Sequence, residues 1–277
     1  MRYLLIPILL VVSTAANAQA TDGCGEVVTI PTHSGTTTRY AFAPAKDAKI
    51  GLVMLIGGGG YMNLDDQGCP RLLSRNVLVR MRPLLNEAGI VTALVDAPSD
   101  MKTEEGLGGF RIASGHAEDL GKVIADLRAR INGPVWIVGH SRGSLSAANT
   151  AARLTGGPNA PDGVILMSPM LVGDHGARKA WVAHTVFSTN LSDIKVPVLV
   201  IGHAADNCVR SPGTQISEVL AKTKSTRQQA ATVTGGPIAP GRAPSVAACE
   251  PREPHDFVDQ QDEVAAGIVR FMRSGNY

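Results

Sequence analysis

The chain has 277 residues, of which 44% are hydrophobic and 18% charged, and its formal net charge at pH 7 is +2. These values are ordinary for a globular protein with a sizeable core, and the length allows one large domain or two small ones. A near-neutral chain with no basic run and only 4% aromatic residues lacks the features of a nucleic-acid-binding protein. We therefore expect no nucleic-acid partner.

The N-terminal segment, residues 1–20, has the pattern of a secretory signal peptide. A positive start precedes an apolar run over residues 3–12, and small residues allow cleavage after Ala18 or Ala20. The run is short for a membrane span, so we expect a cleaved leader and no stable membrane anchor, with an uncleaved anchor as the alternative. The remaining domain, residues 21–277, is then expected in the periplasm or outside the cell.

Export decides how the four cysteines are interpreted. In an oxidising compartment an even number of cysteines favours disulfides over thiolate chemistry or a metal site. Four cysteines allow three pairings, and their spacing alone does not choose between them.

Apolar runs alternate with helical patterns along the mature chain. Strands are expected at residues 26–31 and 37–43, which form an opening hairpin, and then at residues 49–56, 90–95, 134–138, 163–167, 196–202 and 228–234. Helices are expected to end near residues 89 and 154 and to cover residues 112–131, 212–220 and 258–273. This alternation predicts an α/β fold, in which a mainly parallel sheet is covered by helices on both faces.

Residues 169–195 lack a clear strand. We expect a small cap insertion there, over the carboxyl edge of the sheet, because the segment is too short to form a core of its own. No change of composition suggests a second domain.

The stretch from Pro134 to Ala148 contains the strongest functional motif of the chain. An apolar strand leads into Gly-His-Ser-Arg-Gly at residues 139–143, and a helix of small residues follows. A Gly-x-Ser-x-Gly turn between a strand and a helix is the nucleophile elbow, in which the strained central residue is lifted clear of the sheet. Ser141 would lie at a helix N-terminus, where free N–H groups and the helix dipole stabilise a developing negative charge. The motif predicts that Ser141 is a nucleophile.

A nucleophilic serine needs a base, and the base needs a group that orients it. In parallel sheets reactive residues gather beyond the carboxyl ends of strands. Asp206 and His255 follow the last two expected strands, and the order Ser, Asp, His is the one that accompanies a nucleophile elbow. We expect a triad of Ser141, Asp206 and His255. Asp96, which also follows a strand, is the second choice for the acid.

On these residues the chain resembles the α/β-hydrolase superfamily, over nearly its whole mature length. The elbow at residues 139–143, the acid Asp206 and the His-x-Phe sequence that starts at His255 occupy matching places. The resemblance implies the α/β-hydrolase fold, with Ser141 as nucleophile, His255 as general base and then acid, and Asp206 as orienting carboxylate. The chemistry it implies needs no cofactor and no metal.

The run of four glycines at residues 57–60 resembles the oxyanion loop of that superfamily, with Gly57 where the family has a histidine. We expect the backbone N–H of Gly59 or Gly60, together with that of Arg142, to hold the oxyanion. No Gly-Lys-Ser/Thr follows the run, so a phosphate-binding loop of that type is not predicted. The residues expected to line a partly apolar substrate pocket are Tyr61, Met62, Met170 and Trp181.

The positions of two cysteines relative to the expected acid and base indicate a disulfide pairing. Cys208 lies two residues after the expected acid, and Cys249 lies six residues before the expected base. If acid and base meet, a Cys208–Cys249 disulfide would tie their two loops together, which leaves Cys24 to pair with Cys69.

We expect an exported serine hydrolase that acts through an acyl-enzyme on a small-molecule acyl substrate. A carboxylic ester is the first choice, and an amide, lactone or thioester would use the same groups. One alternative is a protein of the same fold that binds a ligand without turnover. Another is a metal-dependent hydrolase, with ligands drawn from His203, Asp206, Cys208, Cys249 and His255. The oligomeric state is left open.

Overall fold

The computed structural model of the protein describes residues 24–238 and 241–277. The predicted signal peptide lies outside these residues. Within them, no helix has both the length and the apolar character needed to cross a membrane.

A single sheet runs through the centre of the molecule. Its strands are β1 (Glu26–Pro31), β2 (Thr37–Ala43), β3 (Ile50–Leu55), β4 (Ile90–Val95), β5 (Val135–His140), β6 (Gly163–Met167), β7 (Val198–His203) and β8 (Gln228–Val233). They lie side by side in the order β1-β2-β4-β3-β5-β6-β7-β8. β2 is antiparallel to both of its neighbours, and the strands from β3 to β8 are parallel.

In the described part of the chain, α-helices cover both faces of this sheet. They are α1 (Val77–Glu87), α2 (Ser114–Ile131), α3 (Gly143–Arg153), α4 (Ser217–Leu220) and α5 (Gln261–Met272). Apolar residues of α2, α3 and α4 belong to one buried cluster, and those of α1 and α5 belong to another. Successive residues of β3 alternate between the two clusters, as the two faces of a strand require. The predicted α/β architecture is therefore confirmed.

Two of the predicted helices are shorter in the structure. The segment 212–220 contains a 3-10 turn at Gly213–Gln215 and only a single turn of α-helix, α4. The closing helix begins at Gln261, because Phe257 and Asp259 have left-handed backbone conformations with φ of 49° and 54°. A right-handed helix cannot include such residues, so α5 starts after them.

The segment 169–195, expected as a cap, contains three 3-10 helices at Ala180–Ala183, Val186–Ser188 and Leu191–Asp193. The second and third supply Val186 and Leu191 to the core cluster of α2 and α3. The first carries Trp181, whose ring lies against the guanidinium of Arg142 at the end of β5. Only this first part is placed to cover a site at the sheet edge, and a cap function for it stays a prediction.

His33, in the turn between β1 and β2, connects that turn to two other segments. Its Nε2 lies 3.0 Å from Asp100 Oδ2, and its Nδ1 lies 2.6 Å from Asp119 Oδ2 on α2. The hydrogen bonds to Asp100 and Asp119 raise the pKa of His33 above its ordinary value of 6.5. The unfolded chain lacks these bonds. Protonated His33 therefore stabilises the fold fully below about pH 6.5, and the contribution is lost as the pH rises through the folded-state pKa.

Replacing His33 with Gln is expected to remove this part of the pH dependence. Urea denaturation at several pH values gives the free energy of unfolding of wild type and of His33→Gln. Wild type should be the more stable, and the difference should be largest below about pH 6.5 and shrink at higher pH. His175→Gln is the control, since His175 is exposed. A difference that grows with pH would contradict the assignment.

Candidate active site

Ser141 lies between β5 and α3 with a left-handed backbone, φ 53°. This conformation costs a non-glycine residue free energy, and residues that adopt it gather at functional sites. The Ser141 N–H donates to the Met167 carbonyl at 2.9 Å, and its own carbonyl accepts from Ser144 Oγ at 2.6 Å. The turn is thereby held at the carboxyl ends of β5 and β6, as a nucleophile elbow requires.

Close backbone approaches explain the glycines around the serine. A Cβ on Gly139 would lie 2.2 Å from the Gly143 carbonyl oxygen, and a Cβ on Gly143 would lie 2.0 Å from the Leu55 carbonyl oxygen. A Cβ on Gly57 would lie 2.9 Å from the Ser141 Cβ. The backbone of the glycine run therefore passes directly against Ser141.

His255 and Asp206 form a buried pair at the same edge of the sheet. Nδ1 of His255 lies 2.9 Å from Asp206 Oδ2, and both side chains are 0% exposed. The second carboxylate oxygen, Oδ1, accepts the Cys208 N–H at 2.8 Å. A carboxylate can only accept, so Nδ1 carries the proton and Nε2 keeps a free lone pair. That Nε2 is buried and has no hydrogen-bond partner among the described residues.

Backbone contacts bring His255 to the turn that carries Ser141. The His255 carbonyl accepts from Ser168 Oγ at 2.8 Å and from Nε2 of His140, the neighbour of Ser141, at 2.9 Å. The rings of His140 and His255 lie 5.2 Å apart. Ser141 Oγ itself has only Met170 Sδ, at 4.0 Å, as a polar contact in the described chain. The Ser141 hydroxyl and the free imidazole nitrogen thus lie on adjoining segments, but no hydrogen bond joins them among the described residues. Direct proton transfer requires them to come within hydrogen-bond reach, and in unliganded enzymes such contacts often tighten only when substrate binds.

His140 is not available as a base, although it directly precedes Ser141. Its Nδ1 accepts from Nδ2 of Asn76 at 2.9 Å, and its Nε2 donates to the His255 carbonyl. Burial lowers the pKa of His140 to about 4, so the ring is neutral at physiological pH. With both nitrogens engaged, His140 positions the backbone of His255.

An ion pair that the sequence did not predict anchors the other side of the His255 loop. Asp256 Oδ2 lies 2.5 Å from Nη1 of Arg80 on α1, and Asp256 Oδ1 accepts the Val77 N–H at 2.9 Å. Arg80 and Asp256 are 176 positions apart along the chain, so no local pattern could have paired them. The two contacts fix the loop to the N-terminus of α1.

The two predicted donors in the glycine run have different environments. The Gly60 N–H already donates to the Gly57 carbonyl at 3.2 Å. Among the described residues, the N–H groups of Gly59 and Arg142 donate to no acceptor. This geometry favours Gly59 over Gly60 as the partner of Arg142 in an oxyanion hole, and that role stays a prediction.

A cleft of about 360 Å³ opens beside Gly59. Its lining consists of Gly59, Tyr61, Leu72, Leu73, Lys102, Thr103 and Glu104. Leu72 and Leu73 are 49% and 37% exposed. Hydrophobic periodicity could not predict their position, because they lie in an irregular stretch that lacks it. Exposed apolar side chains in a cleft are suited to the hydrocarbon part of a ligand.

The other predicted pocket residues differ in their surroundings. Met62 is wrong as a pocket residue, because its side chain is 0% exposed and packs in the core cluster of α1 and α5. Met170 is buried, with Sδ 4.0 Å from Ser141 Oγ. Trp181 is half-buried, and its ring centroid lies 4.4 Å from the guanidinium carbon of Arg142. Met170 thus borders Ser141, Trp181 borders its neighbour Arg142, and Tyr61 borders the cleft.

Asp96, the second choice for the acid, has a structural role. Its carboxylate accepts the N–H groups of Met62 at 2.6 Å, Leu64 at 3.0 Å and Ala97 at 2.8 Å. These bonds fold the segment after the glycine run back onto the end of β4, which also directs Met62 into the core. Asp206, and not Asp96, is the carboxylate that contacts His255.

Within the described residues, Asp206, Cys208 and His255 form a cluster whose donor atoms lie within 4.8 Å of one another. Cys208, however, is bonded to Cys249. A disulfide sulfur is not a thiolate, the form in which cysteine binds zinc. His203 is engaged as well, because Nε2 lies 2.7 Å from Gln260 Oε1 and Nδ1 accepts the Ala205 N–H. The donor set does not fit a zinc site.

The comparisons with known proteins bear on the fold. No protein-family model matches the sequence, and a search of curated proteins finds no match. Est1E from Butyrivibrio proteoclasticus aligns over 90% of this chain and 98% of its own, with 16% identity and a TM-score of 0.59. An alpha-beta serine hydrolase homologue from Coxiella burnetii aligns over 89% and 97%, with 16% identity and a TM-score of 0.56. Dienelactone hydrolase from Anabaena variabilis aligns over 91% and 97%, with 14% identity and a TM-score of 0.56.

The chain has the α/β-hydrolase fold. The resemblance first carried by the elbow and by the order of Ser141, Asp206 and His255 thus holds for nearly the whole molecule. At identities this low, the likeness concerns the α/β-hydrolase fold alone.

Two disulfides are built onto this α/β-hydrolase fold, and they are the predicted pairs Cys24–Cys69 and Cys208–Cys249. The second joins the loop of Asp206 to the segment that leads to His255. The two pairs have sequence separations of 45 and 41 residues, so they constrain the unfolded chain to nearly the same extent.

This similarity makes the Cys24–Cys69 pair a matched control for the other. Replacing either pair by serines is expected to lower the free energy of unfolding by a comparable amount, about 4 kcal/mol from loop entropy. Only the loss of Cys208–Cys249 should also lower the catalytic rate at temperatures where the variant is fully folded, because it frees the acid loop from the base loop. Equal rates for the two folded variants would contradict this role.

Proposed function

We propose that this protein is an exported serine hydrolase that cleaves carboxylic esters through an acyl-enzyme. The observation that carries the proposal is the His255–Asp206 pair, whose remaining imidazole nitrogen is buried and unpartnered among the described residues, on a segment that adjoins Ser141. One structural neighbour is named a serine hydrolase homologue and another a dienelactone hydrolase, which supports the reaction class. The signal-peptide pattern and the two disulfides support export.

Acylation begins when Ser141 Oγ attacks the carbonyl carbon of the ester. Nε2 of His255 takes the hydroxyl proton, and the carbonyl electron pair moves onto the oxygen, where the N–H groups of Gly59 and Arg142 stabilise it. The carboxylate of Asp206 stabilises the imidazolium that forms. When the tetrahedral intermediate collapses, the bond to the alcohol oxygen breaks. That oxygen takes the proton from Nε2, and the acyl group stays on Ser141.

Deacylation repeats the steps with water as the nucleophile. The water oxygen attacks the acyl carbon while Nε2 of His255 takes a proton from the water. The N–H groups of Gly59 and Arg142 stabilise the second oxyanion. The bond to Ser141 Oγ then breaks, and the serine recovers its proton from the imidazolium. The products are a carboxylic acid and an alcohol, and the protein groups return to their starting state.

The alternative of a ligand-binding protein without turnover is separable by one experiment. A fluorophosphonate forms a stable bond only with an activated serine, so wild type should gain one adduct by intact mass, mapped to the peptide of Ser141. Ser141→Ala should gain none. A folded wild type that stays unlabelled would favour the binding protein and contradict the proposal.

A chelation arm of the same experiment tests the metal-dependent alternative. Labelling and ester hydrolysis should survive exhaustive dialysis against EDTA, because none of the proposed steps uses a metal. Loss of both activities, with recovery on adding zinc, would instead support a metal centre.

A further inference from the structure

Arg142 has an unusual environment for a residue next to a nucleophile. Its side chain is half-buried, and the guanidinium carbon lies 4.4 Å from the ring centroid of Trp181. Within the described chain this guanidinium makes no ion pair, in contrast to the two cations near it. Lys179, which also lies over Trp181, pairs with Glu105, and Arg210 pairs with Asp174.

The charge around Arg142 is positive. Burial, and then the nearby charge of Arg210, lower the pKa of Arg142, and the charge of Arg142 in turn adds to the lowering of the pKa of Arg111. Arg210 reaches this place because its carbonyl accepts the N–H groups of Leu171 and Val172, directly after Met170. Two further guanidinium groups thus lie close enough to Arg142 to interact with its charge. Of the three, Arg210 alone pairs with a carboxylate, Asp174, in the described chain.

A guanidinium that is partly removed from water and lacks acceptors favours the binding of an anion. Stacking on Trp181 occupies the face of the guanidinium, whereas carboxylates bind to the N–H groups at its edge. We propose that the Arg142 side chain binds a carboxylate of the substrate, so that the preferred substrates are esters that carry an anionic group within a few bonds of the scissile carbonyl. This inference rests on the proposed function, and it names the substrate class of that same site.

Two esters with the same leaving group test the inference. The 4-nitrophenyl monoester of glutaric acid carries a carboxylate, and 4-nitrophenyl valerate has an acyl chain of similar length without one. Wild type should have the higher kcat/KM for the anionic ester. In Arg142→Gln the ratio of anionic to neutral kcat/KM should fall at least about tenfold, the size of one charge-assisted contact.

Arg128→Gln is the matched control, because Arg128 lies on α2 and pairs with Asp162 away from the nucleophile. It should leave the ratio unchanged. An unchanged ratio in Arg142→Gln, in a variant that still hydrolyses valerate, would overturn the anionic-substrate inference alone. Failure of wild type to hydrolyse either ester or to react with a fluorophosphonate would overturn the proposed function as well.

A separate observation concerns the buried side of the glycine run. Arg111 is 2% exposed, and its Nη2 donates to the carbonyls of Ile56 at 3.2 Å and Gly58 at 3.1 Å. Its Nη1 donates to Ser146 Oγ on α3 at 3.0 Å. The guanidinium therefore connects the glycine run to the helix that starts at the nucleophile.

The bond to Gly58 determines the direction of the next N–H. In a planar trans peptide the Gly58 carbonyl and the Gly59 N–H point in opposite directions. A donor that holds this carbonyl also holds the N–H, and a positive charge behind the peptide strengthens the N–H as a donor. We infer that Arg111 is a positioning residue that orients the Gly59 N–H toward the oxyanion, given the proposed function.

Arg82 provides a matched control for Arg111. It is also buried, at 5% exposure, and donates to the Ala41 carbonyl and to Thr92 Oγ1, on the opposite face of the sheet. Arg111→Met should lower kcat about 10²-fold to 10³-fold, the range for an oxyanion donor, with little change in KM. Arg82→Met should lower stability without this fall in kcat.

Two milder variants keep the test decisive if Arg111→Met does not fold. Arg111→Lys retains a cation that can reach one carbonyl, so it should recover part of kcat. Ser146→Ala removes the anchor of Nη1, and it should lower kcat by less than Arg111→Met does. The inference is wrong if the folded variants at positions 111 and 146 keep the kcat of Arg82→Met.

Discussion

Ser141→Ala and His255→Ala are each expected to lower kcat by about 10⁶-fold, and the double variant should lose no more than either single one. The reason is that the Ser141 hydroxyl and His255 Nε2 act together in one proton transfer, so that removing either group prevents the other from contributing to catalysis. The residual rate should come from substrate binding and the oxyanion donors. Ester hydrolysis measured with saturating substrate gives kcat for the three variants.

The loss of rate is informative only if the variants remain folded, so their stability is measured as a control. His255→Ala also removes the Nδ1 hydrogen bond to Asp206 and leaves that buried carboxylate without its partner, so kcat is compared at temperatures where the variant is fully folded. Thermal melting should show that Ser141→Ala keeps the stability of wild type, because alanine retains the left-handed backbone and the hydroxyl makes no strong contact. Losses that add up in the double variant would show that the two residues act independently.

Asp206→Asn is expected to lower kcat by about 10⁴-fold. The carboxylate holds His255 with the proton on Nδ1, whereas an amide can donate to Nδ1 and thereby stabilise the tautomer with the proton on Nε2. A protonated Nε2 cannot accept the serine proton. The amide also lacks the negative charge that stabilises the imidazolium. Pre-steady-state release of 4-nitrophenol should show that acylation is the step that slows.

Asp96→Asn separates this role from a general effect of losing a buried carboxylate. The Asp96 carboxylate accepts hydrogen bonds from backbone N–H groups and from no side chain in the described residues. Its replacement should therefore lower the melting temperature. The folded Asp96→Asn protein should keep a kcat far above that of Asp206→Asn. The reverse order would move the acid role to Asp96.

The parts of the fold that the sequence predicted are those that local patterns determine. The apolar runs at β4 and β6 and the hairpin of β1 and β2 have the bounds expected from hydrophobicity and turn residues. The elbow could be recognised because the backbone around Gly139 and Gly143 leaves no room for a Cβ. The obstructing carbonyls lie within a few residues or on the adjacent strand β3. The disulfide between Cys208 and Cys249 followed from the expected meeting of two loops.

The parts that it missed depend on contacts between distant segments. Met62 follows the glycine run and was expected in the pocket, but its position is decided by the carboxylate of Asp96, 34 positions away. Arg111 directly precedes the predicted helix 112–131, and only the tertiary fold places it behind the glycine run. A charged residue that is buried with backbone carbonyls as partners leaves no periodic signal in the sequence.

The crystal structure of the protein after reaction with a fluorophosphonate tests the central claim most directly. The account predicts a bond from phosphorus to Ser141 Oγ, Nε2 of His255 within hydrogen-bond distance of that oxygen, and a phosphoryl oxygen that accepts from the N–H groups of Gly59 and Arg142. Phosphorus on another residue, or a ring of His255 turned away from Ser141, would contradict it.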